Sequence, residues 1–261
     1  MPAEQARPVA PSIKTRRFFA RRYWRRWLLA SVVLAAVAYR AIPWLYINVF
    51  SEPAPPPLSF EQVDKDRAAA GGTTVAGTEA SVASTPANTN NAIDGTWTVT
   101  APSSAGYRVK ELIAGQPKTA VGRTSTVDGT FTITDGQVTA AEVNVDLASM
   151  VSDEARRDAQ FRGRIMATDE FPVATFTLNE AFALGDDQSS VENVAVQGTL
   201  SLRGTQKPAV FTITGQLGGD SITLVAKTAI VFADYGIPNP SIGPISTEDN
   251  GTIEVALTAK R

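Results

Sequence analysis

From Ala92 to the C-terminus, apolar and polar residues alternate with a period of two, and this constrains the fold more than any other feature of the chain. Trp97 and Val99 are interleaved with Thr96 and Thr98, and Phe131 and Ile133 with Thr130, Thr132 and Thr134. Val143, Val145 and Leu147 alternate with Glu142, Asn144 and Asp146, and the pattern returns around Phe176, Leu200, Phe211 and Val255. Successive side chains of a strand point to opposite faces, so these runs describe half-buried antiparallel strands. Asp128-Gly129, Asp135-Gly136, Gly185-Asp186-Asp187, Gly218-Gly219-Asp220 and Asn250-Gly251 punctuate them and read as turns. About six to eight short strands at this spacing form a sandwich or a barrel, and alternation alone does not choose between the two.

One segment breaks the period. Ser152 is placed to cap a helix whose first turn carries Asp153 and Glu154, the favourable sign for the positive end of the helix dipole. Helix-forming residues continue from Ala155 to Met166, interrupted at Gly163, and Phe171-Pro172 ends the excursion. Strand, polar helical insert with Arg157-Asp158, Phe-Pro corner and strand follow in that order over Asp146–Phe176, and downstream lie VQGTLSLRGTQKPAVFTIT and FADYGI. Over roughly residues 92–261 this order resembles the YceI-like family of lipocalin-like barrels that bind polyisoprenoid lipids. The resemblance implies an eight-stranded antiparallel barrel with an elongated apolar interior. Many members carry His-Ser near the first strand and Lys-His after it. Here those neighbourhoods read Ser103-Ser104 and Lys110-Glu111, so any contact made by those histidines is missing or replaced.

Composition removes several chemistries. The chain has no cysteine and no histidine, which excludes disulfides, thiolate nucleophiles, Ser-His-Asp triads and zinc sites built on those ligands. No Asp-rich loop of calcium-binding spacing appears. Arg157-Asp158 has no neighbouring nucleophile or base, so it reads as a structural ion pair or helix-end hydrogen bond. Asp234, beside Tyr235-Gly236, fixes a turn, and Gly204-Thr205-Gln206-Lys207-Pro208 is a hairpin turn, since it lacks the strand-to-helix context of a phosphate loop. Gly115 and Gly122 flank AGQPKTAVG, read as a loop. The expectation is a protein that is not an enzyme, with no cofactor and no metal.

Charge is segregated. Residues 1–26 hold eight Lys or Arg against one Glu, whereas residues 92–261 hold 13 basic and 20 acidic residues. An acidic body argues against nucleic acid as partner. The basic head reads as a cytoplasmic tail before a membrane helix over residues 27–50, which carries one charge, Arg40, and is flanked by Tyr23, Trp24, Trp27, Trp44 and Tyr46. Those 24 residues would extend about 36 Å as a helix, against a hydrocarbon core of roughly 30 Å. The alternative is that the charge-free run Trp27–Tyr39 is an export signal cleaved after Ala36-Val37-Ala38, removing residues 1–38, and Arg16-Arg17 resembles a twin-arginine signal. Either way the body is expected outside the cytoplasm. Residues 51–91, rich in Pro, Ala, Gly, Ser and Thr, read as a disordered linker with an r.m.s. span of about 35 Å. The barrel domain then covers 92–261.

Val109, Phe131, Leu147, Phe176, Leu200, Phe211 and Phe232 share an interior parity, and Phe161 lies on the helical insert. They either fill a solid core or line a cavity. An isoprenoid offers only hydrocarbon, so its site would carry the same residue types as a core. The resemblance favours a cavity, and these eight residues are then expected to form its apolar lining. The expected function is therefore a membrane-tethered, extracytoplasmic binder of a polyisoprenoid of quinone or polyprenyl type. The alternative is a tethered structural or protein-interaction barrel without a lipid.

Overall fold

The computed structural model describes residues 16–45, 53–69, 93–185, 190–218 and 220–261, and the chain divides into two compact units, Met1–Ser51 and Glu52–Arg261. Among the described residues of the first unit one helix, α1 (Arg16–Leu45), joins the arginine-rich run to the apolar run. Among the described residues no helix is long and apolar enough to cross a membrane. The crossing expected over 27–50 is absent there for a physical reason. The leading third of α1 is rich in arginine, and Arg40 limits the uncharged run to 27–39, short of the about 20 apolar residues a span requires. Residues 46–50 of that expected segment lie outside the described residues.

The second unit is built on antiparallel strands: β1 (Gly95–Ile113), β2 (Gln116–Thr124), β3 (Val127–Thr134), β4 (Gln137–Asp146), β5 (Val151–Ser152), β6 (Val173–Leu178), β7 (Phe182–Ala183), β8 (Ser190–Leu202), β9 (Thr205–Gly218), β10 (Ser221–Val231), β11 (Ile245–Thr247) and β12 (Asn250–Lys260). They form one sheet, and pairing of β1 with β12 closes it. The closed ring runs β1-β12-β10-β9-β8-β6-β4-β3 and back to β1, an eight-stranded barrel as expected, while β2, β5, β7 and β11 add to its rims. β1 bends where its register with β12 shifts between Thr100 and Ser104. The Ser103 hydroxyl fills the break, donating to Thr100 O at 2.6 Å and accepting from Thr258 N at 3.0 Å.

Tight hairpins join the strands at Ala114-Gly115, Asp135-Gly136 and Arg203-Gly204, each with two successive positive φ values, as two-residue turns matched to strand twist require. Three turn or loop expectations are corrected. Asp128-Gly129 lies inside β3, Asn250-Gly251 opens β12, and the stretch after Gly115 is strand β2. Gly251 is there for close approach, since a Cβ would stand 2.9 Å from Val109 Cγ2. Asp186 and Asp187 lie outside the described residues.

The helical insert starts later than Ser152. Helix α2 (Phe60–Ala69) precedes the barrel, and α3 (Ala155–Gln160) begins the insert and runs into a π-helical turn over Phe161–Ile165. Ser152 does not cap α3 by its side chain. Its Oγ and backbone N donate to Asp158 Oδ1 at 2.6 and 2.9 Å, so Asp158 anchors the approach to the helix from within. Arg157 pairs with Asp153 and Glu111 rather than with Asp158.

The linker expectation over 51–91 is corrected for residues 53–69, which form a strap folded against the outer wall of the barrel; 70–92 lie outside the described residues. Leu58 and Val63 are buried against Ala256 and Val225. Glu254, itself buried, accepts from Arg108 Nε at 3.0 Å and from Leu58 N at 3.4 Å, and Arg123 stands 3.8 Å away. Arg108 and Arg123 in turn donate to the carbonyls of Pro55 and Pro56, and Arg67 donates to Thr223. A polar segment is thereby held by a few long-range contacts that composition does not display.

Candidate functional site

Inside the barrel lies a cavity of about 580 Å³, so the interior is hollow. A volume of roughly 300–1,000 Å³ is typical of pockets that enclose a small organic ligand. Every barrel strand contributes apolar side chains to its wall, as the inward-facing half of each alternating run requires.

All eight sequence-predicted residues border this cavity. Val109, Leu147, Phe161, Leu200 and Phe232 belong to a buried cluster at the end closed by the helical insert. Phe176 and Phe211 meet edge to face at mid-barrel, ring centroids 4.9 Å apart. A Cβ at Gly198 would collide with the Phe176 ring, so the missing side chain is what lets that ring lie across β8. Phe131 sits at the opposite end, where Trp97, fully buried, stacks on it at 6.4 Å and donates its indole N–H to Ile93 O at 2.9 Å. The Arg261 guanidinium lies over the Trp97 ring, 4.9 Å from its centroid.

The polar features lie mainly at the insert end; sequence reasoning missed Tyr107 and Glu111, while Arg157, read there as a structural ion pair, makes one with other partners than expected. Tyr107 and Glu111 flank Val109 on the inward face of β1, and Arg157 reaches them from α3. Arg157 pairs with buried Glu111 at 3.0 Å and also with Asp153, which Lys118 holds from the other side at 3.0 Å. Burial works against the Arg157 charge, yet Glu111 and Asp153 more than offset it and hold the guanidinium protonated even more firmly than usual. Burial likewise raises the Asp153 carboxyl, but the hydrogen bonds and charges of Lys118 and Arg157 outweigh it and leave the group below its ordinary range. The Tyr107 ring stacks on Phe161 at 5.1 Å, and burial pushes its phenol well above the usual range, so it stays a neutral hydrogen-bonding group. Parity was the available signal: residues two before and two after Val109 must share its face.

A loop after the short helical turn Phe232–Tyr235 completes this end. Pro240, Ile242 and Pro244 reach the cavity, and Arg164 of the insert donates to the carbonyls of Asn239 and Pro240 at 3.1 and 3.2 Å. Asp234 is part of that turn, with Gly236 in the left-handed conformation after it, as expected. Among the described residues no cluster of acidic side chains is placed to hold a metal ion. The arrangement can enclose a long hydrocarbon and present a tyrosine and a neutralised ion pair to whatever caps it.

The family model of the YceI-like domain matches residues 97–259, more than half of the chain. Among solved structures the chain is similar to a polyisoprenoid binding domain from Saccharophagus degradans implicated in plant cell wall breakdown, with 20% identity and a TM-score of 0.50 over 63% of this chain and 97% of that one. Burkholderia cenocepacia BcnA aligns at 16% identity and a TM-score of 0.48, over 60% of this chain and 96% of that one. The Campylobacter jejuni YceI protein aligns at 17% identity and a TM-score of 0.39, over 54% and 85%. At such identities the likeness is one of fold. No curated protein matches the chain.

Proposed function

Because the chain belongs to the YceI-like domain family, we propose that its barrel is a non-enzymatic vessel that holds or transfers a polyisoprenoid lipid of quinone or polyprenyl type. The observation that carries this reading is the apolar cavity of about 580 Å³ running from Ile93, Phe131 and Ile133 at one end to the Tyr107–Glu111–Arg157 cluster at the other. A packed core needs no such void, and an empty one forfeits dispersion contacts. A tail that fills it gains about 0.8 kcal/mol per buried methylene-sized group, so ten such groups supply about 8 kcal/mol before the costs of ordering. The eight apolar residues are the proposed tail contacts, and Tyr107 is the hydrogen-bonding group nearest to hand for a head group.

Location is part of the same proposal. The basic run followed by exposed Trp24, Trp27, Leu29, Val33, Leu34 and Tyr39 on α1 supports attachment of the chain to a membrane, with the barrel on the extracytoplasmic side. Protease accessibility of residues 92–261 on intact spheroplasts tests it, and protection of the body refutes it. Recovery of a mature chain starting near Tyr39 replaces the attachment with a cleaved signal.

The cavity itself is tested by Leu200→Trp. Leu200 is buried yet borders the void. In a filled core the larger ring costs roughly 1–3 kcal/mol. In this barrel it projects into free space, so the melting temperature should stay within a few degrees, equivalent to about 1 kcal/mol, while co-purifying lipid is lost. A large fall in stability without any change in bound lipid refutes the reading.

A further inference from the structure

Between β6/β7 and β8 the barrel wall is not continuously hydrogen-bonded. β6 pairs with β8 only from Thr175 to Leu178, opposite Gly198 to Ser201, and a last bond joins Asn179 N to Gln197 O at 3.2 Å. Beyond it the chain stays with β4, through β7 pairing at Phe182–Ala183 and Leu184 N donating to Gly136 O. β8, meanwhile, continues back to Ser190 paired only with β9. The β8 edge over 190–196, roughly 20 Å of strand, therefore has no strand partner on that side among the described residues.

This seam borders the cavity. Leu178, Phe182 and Leu184 border it on one side, and Val191 and Val196 on the other, and all five also border the void. All but Val196 are half-buried, as are Val145, Phe176 and Ile253 on the continuously paired part of the wall. The edge is managed as a permanent one: a bulge between Val191 and Val194 puts Asn193 at φ 52°, and exposed Glu192 discourages pairing with another strand. The exposed charges beside the seam, Glu180 and Glu192, are acidic and offer no counter-charge to a phosphate. Straight ahead the cavity is bordered by Ile93, Phe131 and Ile133, and Trp97 stacks on Phe131.

We propose that the seam between β7 and β8 is a lateral portal through which the distal end of a long isoprenoid tail leaves the barrel, the head group remaining at the Tyr107–Arg157 end. The proposal rests on the lipid reading above and adds a length rule: the barrel takes tails longer than its interior can contain, because the surplus passes sideways. Hydrocarbon is the only ligand part that fits a slit lined by leucine, valine and phenylalanine and flanked by carboxylates.

The test compares geranylgeraniol with the longer polyprenol solanesol, measured by native mass spectrometry and by competition binding to the full chain. Leu184→Trp and Val191→Trp each fill the seam without touching the insert end. Solanesol affinity should fall about tenfold or more, while geranylgeraniol affinity holds. Equal losses for both polyprenols, or no loss for either, overturn the portal. A second measurement uses the unaltered chain: solanesol carrying a diazirine at its distal end should crosslink to Leu184 or to residues 190–196. Crosslinking confined to Trp97, Phe131 and Ile133 overturns the portal without reference to any variant. If the unaltered chain binds neither polyprenol, it is the lipid reading that falls, and the portal with it.

Discussion

Replacing Glu254 by glutamine should cost the second unit about 3 kcal/mol and loosen a segment nearly two hundred residues away in sequence. The Glu254 side chain is 9% exposed and is the acidic partner of both Arg108 and Arg123, whose side chains are 20% and 22% exposed. Burial already lowers the Arg123 guanidinium below its usual range, with Glu254 opposing that and Arg108 adding to it. Glutamine keeps the shape and an acceptor for Leu58 N but removes the main charge opposing two half-enclosed cations, leaving Arg123 only the weaker pull of Asp66. Removing one partner of a buried pair costs about 3–5 kcal/mol, and the residual exposure of the arginines places this case at the low end. With a urea dependence of about 2 kcal/mol per molar, the unfolding midpoint should drop by roughly 1.5 M. The strap should also become susceptible, because Leu58 and Val63 lose the wall they pack on. Trypsin cleavage at Lys65 and Arg67, under conditions where the barrel stays intact, reads this out. A loss below about 1 kcal/mol, with the strap still protected, refutes the argument that residues 53–69 are an integral part of the folded unit.

Two further outcomes follow from particular contacts. Gly198→Ala drives a methyl into both the Phe176 ring and the Thr177 carbonyl and should destabilise the barrel by about 1–3 kcal/mol in thermal unfolding, a cost that Phe176→Leu in the same chain should relieve only in part. Asp153 has its folded-state carboxyl below the ordinary value of about 3.9, so its contribution is complete above that pH and is lost as pH falls through the folded value. Asp153→Asn should therefore lower stability at neutral pH and flatten the loss seen below about pH 4, as followed by circular dichroism across an acid titration.

The barrel was legible because half-buried strands write their two faces into alternate residues, and the inward set was legible for the same reason. Leu200 and Phe211 reach one void simply because parity places them on one face. Whether that face encloses solid or empty space is a matter of volumes summed around the ring, which no local pattern records. Glu111 obeyed the parity rule and was missed because a carboxylate on an apolar face looks like an error until Arg157 arrives from α3. The strap was illegible for a different reason. Its composition is that of a linker, and what orders it is Glu254, a residue whose only sequence signal is a charge in the middle of β12. Glycines misled where they serve close approach, as at Gly251 beneath Val109 and Phe232, and were read correctly where they complete two-residue hairpins, as at Gly136.

The central claim, that this barrel carries an isoprenoid, is tested most directly by native mass spectrometry of the full chain purified gently from its own host. The account predicts a non-covalent adduct in the mass range of a polyprenyl or isoprenoid quinone species, released on unfolding and absent from Leu200→Trp. Protein that is uniformly unliganded, and that binds neither geranylgeraniol nor solanesol when they are supplied, would contradict it.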